Sequence, residues 1–293
     1  MRATRRARVF LTVGVVVLLA WAGGSPPAPG RADHPPLTFV EHLRSAPFPL
    51  DEPDESLVRE YKDDGVLFHI PAGFDPREPF LMVVLFHGHL TDVRAFFRTY
   101  AFADQAERSG KNVVLIAPEL TGGAIDSSPG KFGLGGGFRR FLDEAAEVLA
   151  VRLGEEFLPR FRSAPVILAA HSGGYKPLAM ALDRGGAVSR VRGVLLLDAL
   201  YGDADRFEHW LTRTARPDAF FINLYTEGPC RKNSERLAES LAGRGLPAAR
   251  GWPVRLVPAP VVRFILSDQE HSRIPLDGPP RRPLEKLLRL LGE

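Results

Sequence analysis

The run Pro165-Val166-Ile167-Leu168-Ala169-Ala170-His171-Ser172-Gly173-Gly174 constrains the fold of this 293-residue chain more than any other segment. An uninterrupted apolar stretch of this length leaves no polar face for water, so it reads as a parallel strand covered on both sides. It stops abruptly at Ser-Gly-Gly, and Tyr175 to Leu182, rich in Leu, Ala and Met, reads as the helix that follows. A strand that turns so tightly into a helix needs small neighbours, which Ala170 and Gly174 supply two residues either side of Ser172. The serine hydroxyl then points outward. The backbone N–H of Gly173 sits at the helix start, where it faces developing negative charge. An ordinary tight turn is the competing reading of the same letters.

From about residue 37 strand-like and helix-like segments alternate without a shift in composition, the pattern of one α/β domain on a largely parallel sheet. Strands are expected at Val66 to Ile70, Phe80 to Phe86, Asn112 to Ala117, Val166 to Ala170, Val191 to Leu197, Ala219 to Tyr225 and Val261 to Leu266. Phe138, Phe141, Leu142, Ala145 and Leu149 recur at helical spacing with Asp143, Glu144 and Glu147 off the stripe. Helices are also expected at Ser234 to Ala242 and Pro283 to Leu291. In such a sheet ligands gather beyond the carboxyl ends of the strands.

Three further strand ends carry chemistry-bearing residues. Leu85-Phe86 runs into His87-Gly88-His89. Val194 to Leu197 ends directly on Asp198, a carboxylate whose burial is costly without a partner such as the N–H of a catalytic imidazole; a helix cap or a loop contact is the alternative. Phe264 to Leu266 leads to His271 through Ser267-Asp268-Gln269-Glu270. A fourth acid, Glu227, follows the strand Phe220 to Tyr225. His87-x-His89 also has the look of a metal pair, but no third ligand at standard zinc spacing accompanies it, and no metal or organic cofactor is expected.

The pattern small-x-Ser-x-Gly around Ser172 resembles the nucleophile elbow of the α/β-hydrolase superfamily, with Ala170 where that family usually has Gly. The resemblance spans roughly residues 64 to 275. It implies the α/β-hydrolase fold: a mostly parallel central sheet flanked by helices on both faces, here without a large cap domain, because only about 20 residues separate Asp198 from the next strand. It further implies Ser172 as nucleophile, His271 as base, and the backbone N–H groups of His89 and Gly173 as the oxyanion hole. Either Asp198 or Glu227 would be the acid, Glu227 at the commoner family position and Asp198 at the end of the more apolar strand. The order serine, acid, histidine is the family's own.

The N-terminus differs from the rest. Arg2, Arg5, Arg6 and Arg8 precede the apolar run Val9 to Ala22, which reads as a secretory signal over residues 1–22, with an uncleaved membrane anchor as the alternative. Residues 23–36 hold five prolines and three glycines and read as an extended leader into a domain over 37–293. The whole chain has 38 Lys+Arg against 35 Asp+Glu, but residues 1–22 contain four arginines and no acid. The remainder is near neutral, which removes the electrostatic basis for nucleic-acid binding. A single cysteine, Cys230, forbids an internal disulfide and reads as a bystander.

The expected function is an exported serine hydrolase that cleaves an ester or amide in a small or polymeric acyl substrate through an acyl-enzyme. A peptidase or cell-wall amidase with the same residues, and a non-catalytic binding protein on a hydrolase scaffold, are the alternatives. The glycine-rich insertion Thr121 to Phe138 is expected to form a mobile wall of the pocket.

Overall fold

The computed structural model describes residues 34–50, 63–121, 127–214, 218–256 and 260–291. The signal segment and nearly all of the leader lie outside these residues. Eight strands form one sheet: β1 (Leu37–His42), β2 (Gly65–Ile70), β3 (Leu81–Phe86), β4 (Val113–Pro118), β5 (Val166–His171), β6 (Val191–Leu197), β7 (Phe220–Tyr225) and β8 (Val261–Leu266). Their spatial order is β1-β2-β4-β3-β5-β6-β7-β8. From β4 through β8 neighbouring strands are parallel, while β2 runs antiparallel to β4 and to β1.

The reason β5 must be apolar throughout lies in its two faces. Val166, Leu168 and Ala170 enter one core, and Ile167 and Ala169 enter the other, as the period-two alternation of a strand dictates. The first core is covered by α3 (Gly137–Leu153), α4 (Leu158–Ser163), α5 (Tyr175–Asp183), α6 (Ala204–His209) and α7 (Cys230–Gly243). The second is covered by α1 (Val93–Thr99), α2 (Phe102–Ser109), α8 (Ile274–Asp277) and α9 (Pro283–Arg289). The expected stripe on α3 is the buried one.

Seven strands fall where the apolar runs place them, with ends shifted by at most one residue. The edge strand β1 was not among the expected strands, because its residues are only partly covered and its sequence, Leu-Thr-Phe-Val-Glu-His, is half polar. Between β6 and β7 the chain runs through α6 and one π-helical turn, Trp210–Thr214, leaving no room for a cap domain there. The insertion before α3 also differs from expectation. Residues 122–126 lie outside the described residues, but Phe132 is fully buried and packs edge-on against Phe86, Phe138 and Phe141, so the second half of this segment is core rather than a loose wall. Among the described residues no helix is long and apolar enough to cross a membrane.

The C-terminal helices are tied to the sheet by one buried amide. Gln105 on α2 donates through Nε2 to the carbonyls of Tyr100 and Pro275, and its Oε1 accepts from the N–H groups of Leu284 and Glu285 at the start of α9. Replacing it with leucine keeps the volume but strands four buried backbone groups. Gln105→Leu should lower the unfolding free energy by about 2–4 kcal/mol, read from urea denaturation.

Candidate functional site

Register brings the carboxyl ends of β3, β5, β6, β7 and β8 together at one end of the sheet. Phe86 pairs with Ala170, His171 with Leu197, Leu197 with Leu224, and Tyr225 with Leu266. The next residue along each chain is therefore His87, Ser172, Asp198, Thr226 or Ser267. Ser172 has φ +53°, and the three residues Ser172–Gly174 make one 3₁₀ turn that feeds directly into α5. A left-handed serine at a strand exit lifts its side chain clear of the sheet, and such strain persists where the surroundings over-determine it. Those surroundings are visible here. A Cβ on Gly174 would lie 2.5 Å from the Phe86 carbonyl oxygen and 2.7 Å from that of His87, and one on Gly88 would lie 2.7 Å from Ser172 Cβ. Ala170, in contrast, is accommodated inside the core with its methyl group buried.

Asp198 leaves β6 with φ +49° and is 1% exposed. Its carboxylate takes three hydrogen bonds: Oδ1 from the Thr226 N–H at 2.9 Å, and Oδ2 from the Thr226 hydroxyl at 3.0 Å and from His271 Nδ1 at 2.7 Å. Burial pushes the carboxyl up, but the His271 and Thr226 hydrogen bonds outweigh it and hold the group below its ordinary value of 3.8. The bond to Asp198 places the His271 proton on Nδ1 and leaves Nε2 as a base. Glu227 is elsewhere: its side chain is 62% exposed and pairs with Arg231 one turn into α7. Asp198 and His271 are thus in contact, Ser172 stands at the adjoining strand exit, and Glu227 lies outside this group.

The loop after β3 supplies the remaining expected residues. His87 Nδ1 donates to the Gly88 carbonyl at 2.7 Å, and its Nε2 lies 2.8 Å from the Leu120 nitrogen and 2.9 Å from Glu119 Oε1. His89 folds over Gly173: a Cβ there would lie 2.3 Å from the His89 ring, whose Nε2 is 2.8 Å from the Ser127 hydroxyl. The two residues expected to frame an oxyanion are therefore in contact. Among the described residues His42, Asp63 and Asp64 come within cation-holding spacing, and His87 and His89 join no such group.

Four further residues stand beside this group. Thr226, which donates twice to Asp198, was overlooked beside the more conspicuous Glu227. Tyr201 sets its hydroxyl 3.4 Å from His271 Nδ1 and within hydrogen-bonding reach of the Ser172 side chain. Cys230 is buried next to Asp198 and Tyr201, and burial together with the nearby carboxylate pushes its thiol well up, so it belongs to the site's rear wall rather than standing apart. His171, the residue before Ser172, lies beneath His271 with ring centroids 4.6 Å apart.

Burial, reinforced by the His271 ring alongside, drives His171 from its ordinary value of 6.5 down to about 3. An unfolded chain takes a proton on this ring below pH 6.5, and the folded chain does not until far lower, so its contribution to stability is present above pH 6.5 and lost as pH falls. Between pH 7.5 and 5 the wild type should lose about 2 kcal/mol more unfolding free energy than His171→Phe, which has no proton to take. Equal slopes in urea titrations at the two pH values would show that the ring is charged in the folded protein.

No protein-family model and no curated protein matches the sequence. The fold does have solved counterparts. The chain is similar to a feruloyl esterase module from Clostridium thermocellum complexed with sinapinate, with TM-score 0.54 and 12% identity over 91% of this chain and 92% of the other. It is also similar to a ferulic acid esterase, with TM-score 0.51 and 12% identity over 81% and 92% of the two chains. The chain has the α/β-hydrolase fold.

Proposed function

We propose that this protein is a serine hydrolase that cleaves carboxylic esters through an acyl-enzyme, with Ser172 as nucleophile, His271 as base and Asp198 as acid. The observation that carries the reading is the buried Asp198 carboxylate 2.7 Å from His271 Nδ1, next to a serine held at positive φ in a strand-to-helix turn. Serine is a poor nucleophile until a base takes its proton. As substrate enters, the Ser172 hydroxyl turns from Tyr201 toward His271 Nε2, a contact of the kind that tightens when the complex forms. Oγ then adds to the carbonyl carbon while Nε2 takes the hydroxyl proton. The N–H groups of Gly173 and His89 stabilise the resulting oxyanion. Collapse expels the alcohol, protonated by the His271 imidazolium, and leaves Ser172 acylated. Water, deprotonated by His271, repeats the addition and releases the acid. Asp198 stays ionised throughout and balances the imidazolium.

The open approach past α6 suits a small or polymeric acyl substrate, and the esterase counterparts of the fold favour an ester over an amide. Export is part of the same proposal and is supported by the arginine-led apolar segment of residues 1–22, with membrane contact only if that segment is retained. Nucleic acid has no place in it, because the chain beyond residue 22 is near neutral.

A fluorophosphonate should label wild-type protein at Ser172 and leave Ser172→Ala untouched. With a p-nitrophenyl ester, Asp198→Asn should lower kcat at least about 100-fold, whereas Glu227→Gln stays within about threefold. A folded wild type that is neither labelled nor active on esters would overturn the reading, and a dead Glu227→Gln beside an active Asp198→Asn would reassign the acid.

A further inference from the structure

The residue before the nucleophile grips the base twice. The rings of His171 and His271 lie face to face, 4.6 Å between centroids and 23° between planes. His171 Nε2 is also 3.2 Å from the main-chain oxygen of His271. A carbonyl can only accept, so Nε2 carries the hydrogen. Behind the ring, Phe96 stacks at 6.4 Å and Tyr100 packs edge-on at 5.2 Å, which fixes the platform itself. Acyl transfer as derived above does not account for these contacts. Asp198 fixes one atom of the base, Nδ1, and a single hydrogen bond leaves the imidazole free to rock about that contact. A face and a main-chain tether on the opposite side remove the remaining freedom.

We infer that His171 is the positioning residue of the base: a neutral ring that sets the plane of the His271 imidazole and the height of its main chain, so that Nε2 meets Ser172 Oγ and takes up its proton against an aromatic face. This rests on the reading of His271 as base. It also links nucleophile and base physically, since His171 and Ser172 are adjacent on the chain while His271 lies 100 residues beyond His171. A catalytic base that gains charge is helped by a neutral stacked neighbour and opposed by a charged one. Asp198 and Tyr201 face His271 from the exit of β6, and Asp268 and Glu270 lie on its own turn. Tyr100 and His87 face His171 from the end of α1 and the exit of β3.

Two variants separate the contacts: His171→Phe keeps a flat ring without the donor, and His171→Gln keeps an amide N–H without the ring. On a p-nitrophenyl ester both should lose at least about tenfold in kcat with KM within threefold, the signature of misplaced chemistry rather than lost binding. The acid limb of kcat/KM should move to lower pH by about half a unit or more in His171→Gln, where the imidazolium loses its aromatic face, and stay in place in His171→Phe. Activity within twofold of wild type in both variants overturns the inference, as does a loss of kcat with an unmoved acid limb in His171→Gln. His271→Ala, assayed alongside, keeps the two readings apart: if it is as active as wild type the hydrolase reading fails, and if it is dead while both His171 variants behave as wild type only the positioning role fails. Should the variants not fold, ring-carbon NMR of the wild type decides. His171 is expected to remain the neutral Nε2–H tautomer from pH 8 to pH 5, and a His171 that protonates within that range overturns the inference.

Discussion

A carboxylate with almost no exposure sits where the carboxyl ends of the strands meet, and the geometry around it follows from what that burial requires. An ionised Asp198 is tolerated only if its oxygens are met by donors. Those donors come from two other strand exits: Thr226 after β7 and His271 after β8. The main chain joins in, with the Asp198 N–H donating to Leu224 at 2.7 Å. Satisfying one buried charge therefore locks the ends of β6, β7 and β8 to each other. Lose Asp198, and Thr226 and His271 each lose the partner that defines their orientation.

The serine side of the site is fixed by exclusion rather than attraction. Gly174 lies where any side chain would strike the carbonyls of Phe86 and His87, and Gly88 lies where one would strike Ser172 itself. The turn after β5 thus sits against the exit of β3 with no space for a side chain at either glycine. His171 joins the two halves. It belongs to the strand that leads into Ser172, yet it also contacts the loop that carries His271. The aromatic layer under it, Phe96 and Tyr100, comes from the same face of the sheet that α2, α8 and α9 cover. Gln105 secures that layer to the helices that follow His271.

Much of this was legible in the sequence, and the reason is the two-sided burial of a parallel sheet. A strand covered on both faces carries few polar residues, so Met82 to Phe86, Val166 to Ala170 and Val194 to Leu197 announce themselves, and the polar residue that ends each run is placed at the carboxyl end of the sheet by topology. β1 stayed hidden because an edge strand with partial cover has no such restriction. Thr226 stayed hidden for a different reason: a hydroxyl beside a carboxylate draws less notice than the carboxylate, and which of two adjacent side chains turns inward depends on the register between β6 and β7. The stacking of His171 on His271 joins residues that no local pattern connects.

The two carboxylates Asp198 and Glu227 show how the fold separates residues that look alike in the sequence. Both Asp198 and Glu227 follow apolar strands, and on chain order alone either would serve. The β7 exit is one residue longer before its acid, because Thr226 intervenes, and that residue turns its hydroxyl and its N–H onto Asp198. Once Thr226 is committed inward, Glu227 is carried past His271 and into water, where Arg231 on the first turn of α7 meets it. An exposed pair of this kind contributes little to stability and cannot hold an imidazole in one orientation. A buried carboxylate with three donors can. The same threonine that completes the shell of Asp198 thereby leaves Glu227 outside the group, without any change in the order of strands.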